Sequence, residues 1–198
     1  MSIGGRGESR AQHSQVLALL GFMISMAVPA VIAIIGIVVL GFDEIHWLGA
    51  IVWGVVATLA FTLFSIMGEA MGMTRMDILD LLGSMMAQPG STAARAIGAM
   101  IHHANGALLA IAWAYEVALI GLPANWLTGL AWGAILTALA LLMMSTMGAV
   151  HPAIRKGEQE DPGLMATNFG AMTPLGSLMG HLVYGLVLGL TYQMWPLG

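Results

Sequence analysis

No cysteine occurs anywhere in the 198 residues. Without thiolates there is no disulfide framework, no cysteine-ligated iron–sulfur cluster, no covalently attached c-type haem and no cysteine nucleophile. Charge is scarce too: Asp, Glu, Lys and Arg make up 8% of the chain, where a soluble domain carries roughly a quarter. Six Lys and Arg stand against ten Asp and Glu. Such a chain has no basic face to neutralise a run of phosphates, which argues against a nucleic-acid partner. Enzyme signatures are also missing: no Gly-x-Ser-x-Gly elbow, no His-Glu-x-x-His, no phosphate-binding loop and no dinucleotide fingerprint. Ser177 lies four residues before His181, but no glycine-rich oxyanion motif surrounds it. The chain reads as non-catalytic, and no catalytic residue is assigned.

What is abundant is apolar: 59% of residues are hydrophobic and the mean hydropathy is +0.88. Five stretches, 16–40, 47–67, 97–118, 126–147 and 174–192, approach or exceed the ~20 residues a helix needs to cross the hydrocarbon core. The pattern predicts an all-α bundle of five transmembrane helices forming a single domain over 1–198, with 1–15 as a cytoplasmic tail. The first stretch is longer than the apolar part of a signal peptide and lacks a small-residue cleavage site, so it reads as a retained span interrupted by Pro29. All six cations, Arg6, Arg10, Arg75, Arg95, Arg155 and Lys156, fall before the first span or in alternate loops. The positive-inside rule then places the N-terminus in the cytoplasm and the C-terminus outside. Trp47, Trp126 and Trp195 fall at the outer boundaries, where an indole suits the interface.

Residues 74–87 are too few to span. Thr74 followed by Asp77 is a weak relative of a capping box, and the stretch predicts a short amphipathic helix on the cytoplasmic surface, ended by Gln88-Pro89-Gly90. The loop 151–163 is, by composition, a solvated connection.

The chain also repeats itself. Shifted by 79 residues, Trp47, Leu48, Trp53, Gly54, Thr58 and Leu63 meet Trp126, Leu127, Trp132, Gly133, Thr137 and Leu142. With no gap, Met100, His102 and Gly106 then meet Met179, His181 and Gly185. The expectation is two parallel copies of one helical hairpin, 47–115 and 126–194, packed about a pseudo-twofold axis along the membrane normal, with the first span added in front.

That symmetry makes His102 and His181 partners at similar depth. A polar residue inside the bilayer costs several kcal/mol unless partnered, so each is a functional candidate. Two imidazoles on facing helices can ligate haem b from opposite sides or share a Cu or Zn ion, with Gly106 and Gly185 leaving room beside them and Tyr184 near. They can equally form a structural hydrogen-bonded pair with no cofactor, the glycines serving close helix packing. His103 points about 100° away and reads as packed. Met71, Met143, Met147 and His151 form a weaker soft-ligand group suited to copper. A third reading, a small transporter or channel along the repeat axis, rests on a helical stripe of His102, Asn105, Leu109, Ala112 and Glu116. Assembly with further copies or into a larger membrane complex fits all of these.

Three motifs, GMTRMDILDLLGSM at 72–85, IHHANG at 101–106 and GHLVYGLVLGLTY at 180–192, together resemble an uncharacterised prokaryotic family of small multi-pass integral-membrane proteins. The resemblance covers the second to fifth spans. It implies an inner-membrane helical bundle and supplies no activity or site residue.

Overall fold

A computed structural model describes residues 4–197, with side chains from residue 15 onward. No strand occurs among the described residues. The five long helices are α1 (Gly4–Leu40), α2 (Trp47–Ala70), α4 (Thr92–Leu119), α5 (Trp126–Val150) and α7 (Thr173–Met194), joined by the short α3 (Ile78–Gly83) and α6 (Pro152–Arg155). Each long helix, α1 from Gln15 on, is long and apolar enough to cross a membrane. The segment 1–15, expected as a tail, is from Gly4 onward the first part of α1, which runs unbroken through Pro29. Residues such as Glu8, Arg10, Ala11 and Gln12 sustain helix by propensity. The side chains of Arg6 and Arg10 lie outside the described residues.

The long helices close into a ring in the order α1, α4, α2, α7, α5, each packed on two neighbours. Helices α4 and α5 scarcely touch, because α1 stands between them. Glycines set the close approaches. A Cβ on Gly54 would fall 2.8 Å from the Gly106 carbonyl oxygen, and one on Gly185 would fall 2.7 Å from the Gly129 carbonyl carbon and 3.2 Å from the Gly133 nitrogen. In lipid no hydrophobic drive brings helices together, so backbone-to-backbone packing at such small residues does. The Thr58 and Thr137 hydroxyls donate back to the Gly54 and Gly133 carbonyls at 2.7 and 2.9 Å, leaving neither unsatisfied in an apolar interior.

One end of the ring is closed by tryptophan and tyrosine. The Trp47 indole N–H donates to the Phe42 carbonyl at 2.6 Å, the Trp53 indole to the Trp195 carbonyl at 2.5 Å, and the Tyr192 hydroxyl accepts from the His46 N–H at 3.0 Å. Arg75, Arg95, Arg155 and Lys156 all lie at the opposite end.

At that cation-bearing end, the short helix expected within 74–87 is α3. Its N-cap is Asp77, which accepts from the Leu79 and Asp80 N–H groups at 3.1 and 3.0 Å and pairs with Arg95 at 2.9 Å. Thr74 instead bonds Thr173 at 2.8 Å. Helix α3 packs closely on α4: a Cβ on Gly83 would strike the Ala94 backbone, and one on Gly98 the Leu79 carbonyl. The loop 151–163 is exposed over most of 155–161, as a solvated connection should be, but its ends turn inward, with His151 and Pro162 fully buried. The His151 Nδ1 accepts from the Ile154 N–H at 3.4 Å, so its Nε2–H donates, to the Leu81 carbonyl at 2.9 Å. A small second core of Met76, Leu81, Met144, Met147 and Phe169 explains this burial by drawing the loop inward.

Candidate intramembrane ligand site

Inside the ring the two halves differ. Toward the tryptophan end, Trp113, Tyr115, Trp132, Tyr184 and Leu188 are all at most 3% exposed and fill the interior. Toward the cation-bearing end lies a cavity of about 240 Å³. Its walls come from α1 (Ser25, Pro29, Ala33), α4 (His102, Asn105, Leu109), α5 (Leu136, Ala140, Met144), α7 (Ser177, His181) and α2 (Phe61), and its floor from the second core. The Pro29 ring has no N–H to donate to the Ser25 carbonyl one turn before it, and the Ser25 hydroxyl donates to the Phe22 carbonyl at 2.7 Å. Met26 of α1 and Leu108 of α4, 44% and 63% exposed, also line the cavity and carry it to the outer surface of the ring.

His102 and His181 therefore border one cavity. They do not meet ring to ring without an intermediary: the Phe61 ring stands edge-to-face to both, with centroids 5.3 Å from His102 and 4.9 Å from His181. Gly180 makes room for that ring, since a Cβ there would fall 2.8 Å from Phe61 Cε2. The His181 Nδ1–H donates to the Ser177 carbonyl one turn back at 2.8 Å, leaving Nε2 as the acceptor of the neutral ring. His102 Nε2 is buried with no partner among the described residues. An unpaired buried polar atom costs about 1–3 kcal/mol, and the Trp113 and Trp132 indole nitrogens in the packed core are left in the same state.

The other anticipated residues fall elsewhere. The His103 Nδ1–H donates to the Ala99 carbonyl of its own helix at 2.8 Å, and the ring does not border the cavity. The space beside Gly106 is taken by Thr58 and that beside Gly185 by Gly129, so these glycines are helix contact points and leave no gap beside the imidazoles. The Tyr184 hydroxyl is engaged by the Gly106 carbonyl at 2.6 Å. Of the soft-ligand group, Met143 borders the cavity, Met147 is buried in the second core, Met71 is 64% exposed, and both His151 nitrogens are already bonded. Among the described residues no three His, Asp or Glu side chains gather as a metal site. Phe61 was not anticipated, and no motif or spacing in the sequence marks it.

A ring of five apolar helices around a histidine-bordered cavity defines a multi-pass helical membrane protein. Residues 46–196 match the model of a family of unknown function (DUF6789), and the chain belongs to that family. Helix α1 precedes the matched region. No curated protein and no solved structure matches the chain.

Proposed function

We propose that the chain is a non-catalytic accessory protein of the prokaryotic inner membrane, holding a guest in the cavity bordered by His102 and His181, with its cation-bearing end in the cytoplasm. The single observation that carries this reading is that His102 and His181 border one cavity, with the His181 Nδ1 already fixed by a carbonyl. A carbonyl-oriented imidazole with its second nitrogen free is how proteins present a histidine to a ligand.

Three guests meet imidazole nitrogen: haem b, a Cu or Zn ion, and a small organic molecule with a hydroxyl. A single ion would draw on the two histidines and the Met143 and Met144 thioethers, a soft set that favours Cu(I). Haem b would need Phe61 and α1 to move, because about 240 Å³ exceeds the ~150 Å³ that holds one benzene ring but falls below the ~300–1,000 Å³ of drug-sized sites. The alternative of transport along the repeat axis would require opening the packed Trp113, Trp132 and Leu188 core.

We also infer a duplicated hairpin. Matched pairs support it: Gly54 with Gly106 and Gly133 with Gly185 at the helix contacts, and Thr58 and Thr137 bonding back to Gly54 and Gly133. Under that symmetry the α2–α7 contact corresponds to α5–α4, and α1 is the wedge that holds the second pair apart.

Absorbance, metal content and organic extract of protein purified in mild detergent test the reading. One guest per chain, lost in His102→Ala and His181→Ala and kept in His103→Ala, is the expected result. A protein with no guest of any kind overturns it and leaves a purely structural or assembly subunit.

A further inference from the structure

The cavity lies where the two hairpin copies differ in side-chain size. Phe61, against both imidazoles, is matched 79 residues on by Ala140; Tyr184, in the packed core, is matched 79 residues before by Asn105. Ala140 and Asn105 both border the cavity. Each copy therefore supplies one bulky ring, Phe61 from α2 and Tyr184 from α7, and the matching positions on α5 and α4 leave the corresponding volume open.

Resting on the cavity-holder reading and on the duplication, we propose that the guest is a lipid-soluble phenol: one aromatic ring bearing a hydroxyl, with an apolar tail, the class to which reduced quinones belong. Four observations converge on this class. The walls are mostly apolar, with Asn105, Ser177 and the two histidines as isolated polar groups, and the volume suits one ring with a short stretch of chain. Phe61, His102 and His181 present three ring systems, and a flat aromatic guest gains edge and face contacts from them that a flexible acyl chain does not. His181 Nε2 has a lone pair and no proton, so it asks for a donor, which a phenol has and a ketone or quinone lacks. The exposed Met26 and Leu108 open the cavity toward the hydrocarbon, so the ring enters from the bilayer and its tail remains there.

The test titrates purified protein in detergent with 4-decylphenol, decylbenzene and decanol, by calorimetry and native mass spectrometry. The phenol binds at one per chain, and decylbenzene and decanol each bind at least tenfold more weakly, about 1.4 kcal/mol. His181→Phe removes the preference for phenol over decylbenzene. Ala140→Phe, which places in α5 the ring that α2 carries, abolishes binding of all three while the thermal midpoint stays level or rises; this variant keeps the test sound if the histidine variant folds poorly. Equal affinity for phenol and decylbenzene, or undiminished phenol binding by Ala140→Phe, overturns the proposal. A purified protein that carries haem or copper and does not release it to 4-decylphenol overturns the phenol alone and leaves the cavity-holder reading standing.

Discussion

The Tyr184 hydroxyl donates to the Gly106 carbonyl at 2.6 Å, joining α7 to α4 across the interior of a ring in which those two helices are not neighbours. The bond separates the packed core from the cavity, because Tyr184 belongs to the core cluster and Asn105, just before Gly106, borders the cavity.

Tyr184→Phe removes the donor and keeps the ring. Loss of one buried hydrogen bond costs about 0.5–1.5 kcal/mol, which lowers the thermal midpoint in detergent by a few degrees at ~2–4 °C per kcal/mol. Guest binding stays intact. An unchanged midpoint would show that the bond does not hold α7 to α4.

Glycine substitutions divide by what surrounds them. Gly106→Ala and Gly185→Ala force a methyl into Thr58 and the Gly129 backbone, and each costs about 1–3 kcal/mol as overpacking. Gly68 and Gly176 have nothing within 4 Å of an added Cβ, so Ala there is neutral or stabilises by about 0.5–1 kcal/mol through helix propensity. Thermal midpoints of the four variants check this, and a uniform effect contradicts the assigned contact points.

His151→Ala leaves the Leu81 carbonyl and the Ile154 N–H without their buried partner and opens a void at a fully buried site. The expected loss is about 1–3 kcal/mol, seen as earlier melting and faster proteolysis between α5 and α7. Metal or guest content does not change. A fall in metal content would restore His151 to the candidate ligands.

Orientation is tested by reporter fusions after Lys156 and after Gly198. The first reports from the cytoplasm and the second from outside. The same side for both would break the five-span topology.

The long helices were legible because twenty-residue apolar runs leave few alternatives, and the expected 126–147 and 174–192 differ from α5 and α7 by only a few residues. Where α3 lies was not legible. Its fit on α4 depends on Gly83 and Gly98 meeting backbone from a distant segment, and a glycine's partner is not written beside it. His151 hid in a loop whose Arg, Lys and Glu residues suggest water, while its burial comes with a bond to the Leu81 carbonyl, 70 residues away in the chain. The shared cavity of His102 and His181 was foreshadowed by the 79-residue offset; Phe61 between the imidazoles was not, because it breaks the repeat.

The most direct measurement of the central claim, that His102 and His181 serve one guest, is a double-mutant cycle on 4-decylphenol affinity with His102→Ala, His181→Ala and the double variant. Each single variant weakens binding at least tenfold, and the double variant is little weaker than the worse single one, because residues of one site lose the same guest contact together. Losses that multiply independently, or a single variant that binds like the wild-type chain, would contradict a shared site.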